Sequence, residues 1–154
     1  MVERVILSES QRAQIEREAR SALPRECCGL VEGKIEGDDL KVIALHATRN
    51  IAARDDRFEI DPMDQFALIR RLRGTETGIV GCYHSHPNGS ADASPHDHAG
   101  GGEKGYVWLI LALAGPESVL SAFECEGDHL RRIALEMPPP PVGGGAARSA
   151  AGED

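Results

Sequence analysis

The spacing of apolar positions changes period several times along the chain, and each change marks an element. Near the N-terminus, "RVIL" is a short apolar run that predicts a strand. Ser8 then opens a helix. Ser8 and Gln11 have the spacing of a capping box, and Ile15, Ala19, Ala22 and Leu23 mark one face at helical period. Pro24 ends it. "CCGLVEGKIEGDDLKVIALHATRN" predicts a hairpin, with a turn at Gly37 to Asp39 and a return strand through Val42, Ile43 and Leu45. "RFEI" predicts another short strand. Asp61 follows as a helix cap, with Pro62 at the first helical position and Asp64 at the third. That helix runs to about Arg73, where Gly74 stops it. "GIVGCYH" is apolar on both faces and reads as a buried strand. "YVWLILALA", "SVLSAFEC" and "HLRRIALE" predict three more, the last two joined by the turn "EGD".

Hairpins and helical crossovers alternate, so the fold class is α/β: a mixed β-sheet flanked by two or three helices. The pattern stops at Met137. "MPPPPVGGGAARSAAGED" is a proline run, a glycine run, then small and polar residues. It holds too little apolar surface to offset the entropy of ordering. The expected division is a domain over 1–136 and a disordered, Pro/Gly-rich C-terminal tail over 137–154, acting as a spacer.

Composition narrows the class. The 154 residues suit one domain with a single core. Apolar content of 41% and charged content of 27% are ordinary for a globular protein. No apolar run approaches the roughly 20 residues that span a bilayer. The N-terminus is acidic and has no long apolar stretch, so the expected location is cytoplasmic, without membrane. A net charge of −8 and no basic stripe argue against a nucleic-acid partner. The densest basic cluster, Arg70, Arg71 and Arg73, reads as the solvated face of a helix. Cys27, Cys28, Cys82 and Cys125 make no C-x-x-C pair and read as buried free thiols.

The candidate chemistry lies in "GCYHSHPNGSADASPHDHAGGG", which holds four of the six histidines. His84 and His86 are two apart at a strand end, so both project from one face. Two imidazoles so placed can grip one ion, and a catalytic zinc takes three protein ligands with one position open. Asp92, His96, Asp97 and His98 are the candidates for the third. In "SPHD", Ser94 is a good N-cap, Pro95 a good first helical residue, and Asp97 occupies the third position. A capping box accounts for this Asp without any metal. The same geometry also fixes its carboxylate at a helix start, aimed back at the loop. A polar loop pair without metal is the other reading of the two histidines.

His84, Ser85, His86, then the seven residues Pro87 to Ala93, then Ser94, two residues and Asp97 resemble the H-x-H-x7-S-x2-D signature of the JAMM, or MPN+, zinc metalloproteases. "PRECCGLVEG" looks like the family's upstream glutamate segment, with Glu26 in the matching place. "RNIA" and "FEIDP" look like its compact bacterial and archaeal branch, and the likeness covers about residues 4 to 135. The resemblance implies a cytidine-deaminase-like architecture. It also implies one Zn2+ on His84, His86 and Asp97, with Glu26 as general acid/base and Ser94 as oxyanion donor. Its implied activity is hydrolysis of an amide or isopeptide bond at the Gly-Gly C-terminus of a small ubiquitin-like or sulfur-carrier protein. The partner's extended tail would lie as a strand beside an exposed sheet edge. His96 and His98 fall outside the signature and read as exposed. A non-catalytic scaffold of the same fold would be expected to have lost ligands. A zinc deaminase would need H-x-E and P-C-x-x-C, which the chain lacks. A cysteine hydrolase would use Cys27 or Cys82. The pattern leaves the oligomeric state open.

Overall fold

The structure is a computed structural model, described over residues 1–140. The elements are β1 (Arg4–Ile6), α1 (Glu9–Ala22), β2 (Cys28–Glu36), β3 (Asp39–Thr48), α2 (Pro62–Leu72), β4 (Gly78–His86), α3 (Pro95–Ala99), β5 (Val107–Ala114), β6 (Glu117–Cys125) and β7 (Leu130–Glu136). Parallel and antiparallel pairs mix, in the strand order β1-β3-β2-β4-β5-β6-β7, as the α/β pattern predicts. The sheet also closes on itself, because β1 pairs in parallel with both β3 and β7.

β1 pairs with only three residues of β3, and β7 with only the second half of β6, so carbonyls farther along β3, at the start of β6 and in the β5–β6 turn lack a strand partner, and α1 covers several of them. Gln11 donates to the Val42 and Ile43 carbonyls at 3.2 and 3.3 Å, and Gln14 to Leu45 at 3.0 Å. On the other side, Arg12 donates to the Ser118 carbonyl at 2.9 Å and Arg20 to Gly115 at 3.1 Å. The helix thus engages backbone groups that would otherwise offer a template to another strand. Among the described residues every strand has two neighbours, and unpaired edge remains only where a neighbour is shorter, along β3 beyond Lys41 and at the start of β6. Ser8 and Gln11 form the reciprocal capping box, and Ile15 and Ala19 are fully buried against the larger core. Burying a side chain such as Ile15 stabilises by about 2 kcal/mol. Leu23, one residue past the helix, is exposed instead.

Alternation along β4 divides the interior. Tyr83 packs in the larger core with Val31, Leu109 and Leu111. Cys82 faces the opposite way, into a second cluster with Trp108, Ile110 and Phe123. A period of two then places His84 and His86 on the Cys82 face. β4 and β5 approach closely at Gly81, where an added Cβ would lie 2.1 Å from the Val107 carbonyl oxygen. Gly81→Ala is expected to destabilise the fold by about 1–3 kcal/mol or more through forced separation of the strands. The urea unfolding midpoint measures this, and an unchanged midpoint would refute the close-approach argument.

"RFEI" is not a strand: among its residues only Ile60 makes a bridge, isolated, to Asn50. The segment is held by the Asn50 side chain rather than by a ladder. Arg70, Arg71 and Arg73 are exposed on and after α2, as a solvated face should be. Residues 137–140 are exposed and outside any element, and the rest of the tail, 141–154, lies outside the described residues. Among the described residues no helix is long and apolar enough to cross a membrane.

Candidate metal centre

The pairing of β2 with β4 sets the ground plan. Cys28 lies opposite His84. The Ser85 N–H donates to the Cys27 carbonyl at 3.2 Å, extending the contact by one residue, and Glu26 and His86 both line the cleft at this end. Ser85 faces away from the histidines, its hydroxyl accepting from the Cys27 N–H at 2.8 Å.

Three side chains converge at the end of β4. The Nε2 atoms of His84 and His86 are 3.2 Å apart. Asp97 places Oδ1 3.2 Å from His84 Nε2 and Oδ2 3.1 Å from His86 Nε2. One potential ligand atom from each lies within 4.8 Å of the others. Asp97 reaches this position as the third residue of α3. Its N–H donates to Ser94 Oγ at 3.0 Å, and its Oδ2 accepts from the Ser94 N–H at 2.9 Å. The capping box and the approach to the histidines are therefore one arrangement. Asp97 is the candidate that joins them. Asp92 pairs with Arg132, and His96 is exposed. His98, expected to be exposed, is half-buried and accepts from the Leu130 N–H at 3.0 Å, tying α3 to β7.

The donor set fits a divalent metal. His86 Nδ1 lies 2.8 Å from the Ser90 carbonyl, which can only accept. The proton is therefore on Nδ1, and the Nε2 lone pair faces inward. Two imidazoles and one carboxylate aimed at a common point make an N2O set of the kind zinc takes. The loop carrying Ser90 is fastened from the sheet: the Ser121 hydroxyl donates to the Ala91 carbonyl, and Arg132 pairs with Asp92.

The surroundings perturb every group at the site. Burial lowers the His84 pKa against the pull of Asp97. Burial also acts downward on His86, but Asp97 and the Ser90 carbonyl outweigh it and the value ends raised. Burial works to raise Asp97, yet the two histidines hold it well below the usual carboxylate range. Glu26 is 7% exposed. Burial pushes it up to about 7, with His86 pulling down and Asp97 and Asp56 pushing up. Glu26, His86 and Ser94 line one open cleft of about 420 Å³, bordered by Pro24, Asp56 and Arg57. Ser94 Oγ spends a lone pair on the Asp97 N–H, so its own proton remains available to donate into that cleft. The cysteines are all buried and free. Burial pushes Cys27 up to about 12 and Cys82 up as well, which leaves neither as a thiolate nucleophile.

Residues 8–126 match the family of prokaryotic homologs of the JAB domain. The chain belongs to this JAB-domain family. It is 31% identical over 113 residues to the desampylase of Haloferax volcanii, covering 73% of this chain and 78% of that protein. It is 35% identical over 75 residues to COP9 signalosome complex subunit 5b of Arabidopsis thaliana, covering 45% of this chain and 20% of that longer protein. The JAB-domain fold recurs in the solution structure of a Desulfitobacterium hafniense protein. The TM-score is 0.79 at 28% identity, over 87% of this chain and 92% of that one. A Salinibacter ruber protein resembles the fold with a TM-score of 0.64 at 24% identity, over 88% and 92% of the two chains.

Proposed function

We propose that this JAB-domain protein is a zinc-dependent hydrolase. It cleaves an amide or isopeptide bond at the C-terminus of a small ubiquitin-like or sulfur-carrier protein. The observation carrying this reading is the convergence of His84, His86 and Asp97 beside a buried carboxylate, Glu26, in an open cleft. The relative named desampylase and the JAMM-type signature support the substrate class.

Zinc held by the three side chains would supply a Lewis acid that makes water nucleophilic near neutral pH. Glu26 is the proton carrier in this reading. Burial raises this carboxyl's pKa in the metal-free fold, which helps it to accept a proton from the attacking water and return it to the leaving amine. Ser94 donates its free hydroxyl proton towards the oxygen that gains charge as the carbonyl becomes tetrahedral. His86 is kept in one tautomer by Ser90, and Asp97 in one orientation by the Ser94 N–H. The cleft is open and the chain has few long insertions, so an extended, small-residue tail such as Gly-Gly suits it better than a folded segment. In this reading the protein acts in the cytoplasm.

The test is hydrolysis of carrier proteins extended beyond Gly-Gly, read by intact mass with zinc-loaded protein. A product ending at Gly-Gly, lost when a chelator is added, is the expected result. Cleavage that survives metal removal, or none on any Gly-Gly carrier, would refute the reading.

A further inference from the structure

The resemblance marks two short segments, "RNIA" at residues 49–52 and "FEIDP" at 58–62, for which the reaction above has no use. The structure brings them together at one side chain. Asn50 donates from Nδ2 to the Glu26 carbonyl at 2.9 Å and to the Arg57 carbonyl at 3.0 Å. Its Oδ1 accepts from the Ala52 and Glu59 N–H groups, each at 3.0 Å. Both amide protons and both lone pairs are therefore in use, all on backbone. The Ile51 N–H adds a bond to the Glu59 carbonyl at 3.0 Å.

Two of those bonds bracket Phe58. Its ring stacks on His84, with centroids 4.3 Å apart and planes 17° from parallel. Trp108 meets His84 edge-on, at 5.5 Å and 90°, and is itself pinned by a bond from its indole N–H to the Gly101 carbonyl at 3.1 Å. His84 needs this packing. Its Nδ1 is buried without a hydrogen-bond partner among the described residues, unlike the Nδ1 of His86. A ligand histidine is usually oriented by an acceptor at its second nitrogen. Here aromatic surfaces take over that task and fix the plane of the ring.

We infer that Asn50 and Phe58 form one positioning unit: Asn50 fixes the backbone of Glu26 and the segment of Phe58, and Phe58 orients the imidazole of His84. The inference rests on the metal reading. It adds that the base and one ligand are aligned by a shared amide, so that both are disturbed together. Phe58 touches a ligand and not the ion, and Asn50 acts through backbone. Both are positioning residues rather than catalytic ones.

The experiment is a zinc competition titration against a chromogenic chelator, on the full chain with wild type, Phe58→Leu, Phe58→Tyr, Asn50→Asp and the double variant Asn50→Asp/Phe58→Leu. Melting of each metal-free protein is followed in parallel. Asn50→Asp keeps the two accepting bonds and loses the two donating ones. Phe58→Leu should weaken zinc binding roughly 10-fold or more, the scale of losing an outer-shell partner. Phe58→Tyr keeps the stacked ring and should stay within about twofold of wild type. The double variant should bind zinc about as weakly as the worse single one, because the two residues act along one route. Zinc binding by Phe58→Leu equal to wild type, or equal losses in Phe58→Leu and Phe58→Tyr, would overturn the role of the ring. Strictly multiplying losses in the double variant would overturn the shared unit. Should Asn50→Asp fail to fold, Asn50→Ser takes its place in the cycle, and the Phe58 pair decides the role of the ring. A wild-type protein that binds no zinc would overturn the metal reading and this inference together, which distinguishes that failure from one confined to Phe58.

Discussion

His84→Ala should lose zinc and turnover together. The side chain is fully buried and one of only three ligand groups in the described cluster. Its removal leaves a gap beside Phe58 and Trp108, where a replacement water would lie against apolar rings. The loss in affinity should exceed the roughly 100-fold that marks removal of an outer-shell partner. His98→Ala is the matched comparison. It removes an imidazole from the same loop region, yet His98 serves the Leu130 N–H and not the cluster. It should retain the wild-type metal content and lose only some stability. Metal analysis of both variants, purified without chelator, checks the pair. Equal zinc in His84→Ala and wild type would remove His84 from the site, and zinc loss in His98→Ala would show that the wrong histidine had been chosen.

Local sequence carried the histidine pair and put Asp97 among the candidates to join it, because that geometry is local. An H-x-H at a strand end has its two rings on one face whatever the rest of the fold does. The Ser94–Asp97 capping box fixes where the carboxylate lies relative to the loop before it. The helices were legible for the same reason, through Ser8, Asp61 and Pro62 acting within a turn of themselves. Glu26 was different. Nothing in its neighbourhood along the chain marks it among the glutamates, and only the family resemblance singled it out. Its burial and its place in the cleft with His86 follow from the pairing of β2 with β4, where Cys28 meets His84.

The rest of the site was hidden by the same kind of distance. The resemblance marked the segments that hold Asn50 and Phe58 but gave neither residue a role, and Phe58 reads as the apolar member of a short strand. Their partners, Glu26 and His84, are set by how the segment from Asn50 to Ile60 folds back over β2 and β4. "RFEI" shows why extended character is not enough to define a strand: the chain is extended there, but a carboxamide takes the place of a neighbouring strand. Closure of the sheet was equally out of reach. Arg4 pairs across to Ala134 and Asp39, and periodicity along the chain does not report on pairings at such separation. Ser121 lay within an apolar run with no sign that its hydroxyl fastens the loop that carries Ser90.

Glu26→Gln should separate chemistry from structure most cleanly. The amide keeps the shape of the side chain and removes the base, so zinc content should match wild type. Turnover on a cleavable carrier fusion should fall by about 10² to 10⁴. Wild-type activity in this variant would exclude Glu26 as the proton carrier. Stability should move the other way. Burial raises the Glu26 carboxyl from 4.5 to about 7 in the metal-free fold, whereas the unfolded chain ionises near the ordinary glutamate value. The native state therefore holds the extra proton between pH 4.5 and about 7. Across that window Glu26 makes the fold progressively less stable as pH rises, and above it the cost is constant. The full effect is on the order of 3 kcal/mol. The substituted amide carries no such charge, so metal-free Glu26→Gln should gain on wild type as the pH rises from about 5 to about 8. Denaturant unfolding of both proteins at the two pH values, in chelator, gives the comparison. The same difference at both pH values would mean that the buried carboxyl ionises as it does in water, and the reason for choosing Glu26 as a base active at neutral pH would go with it.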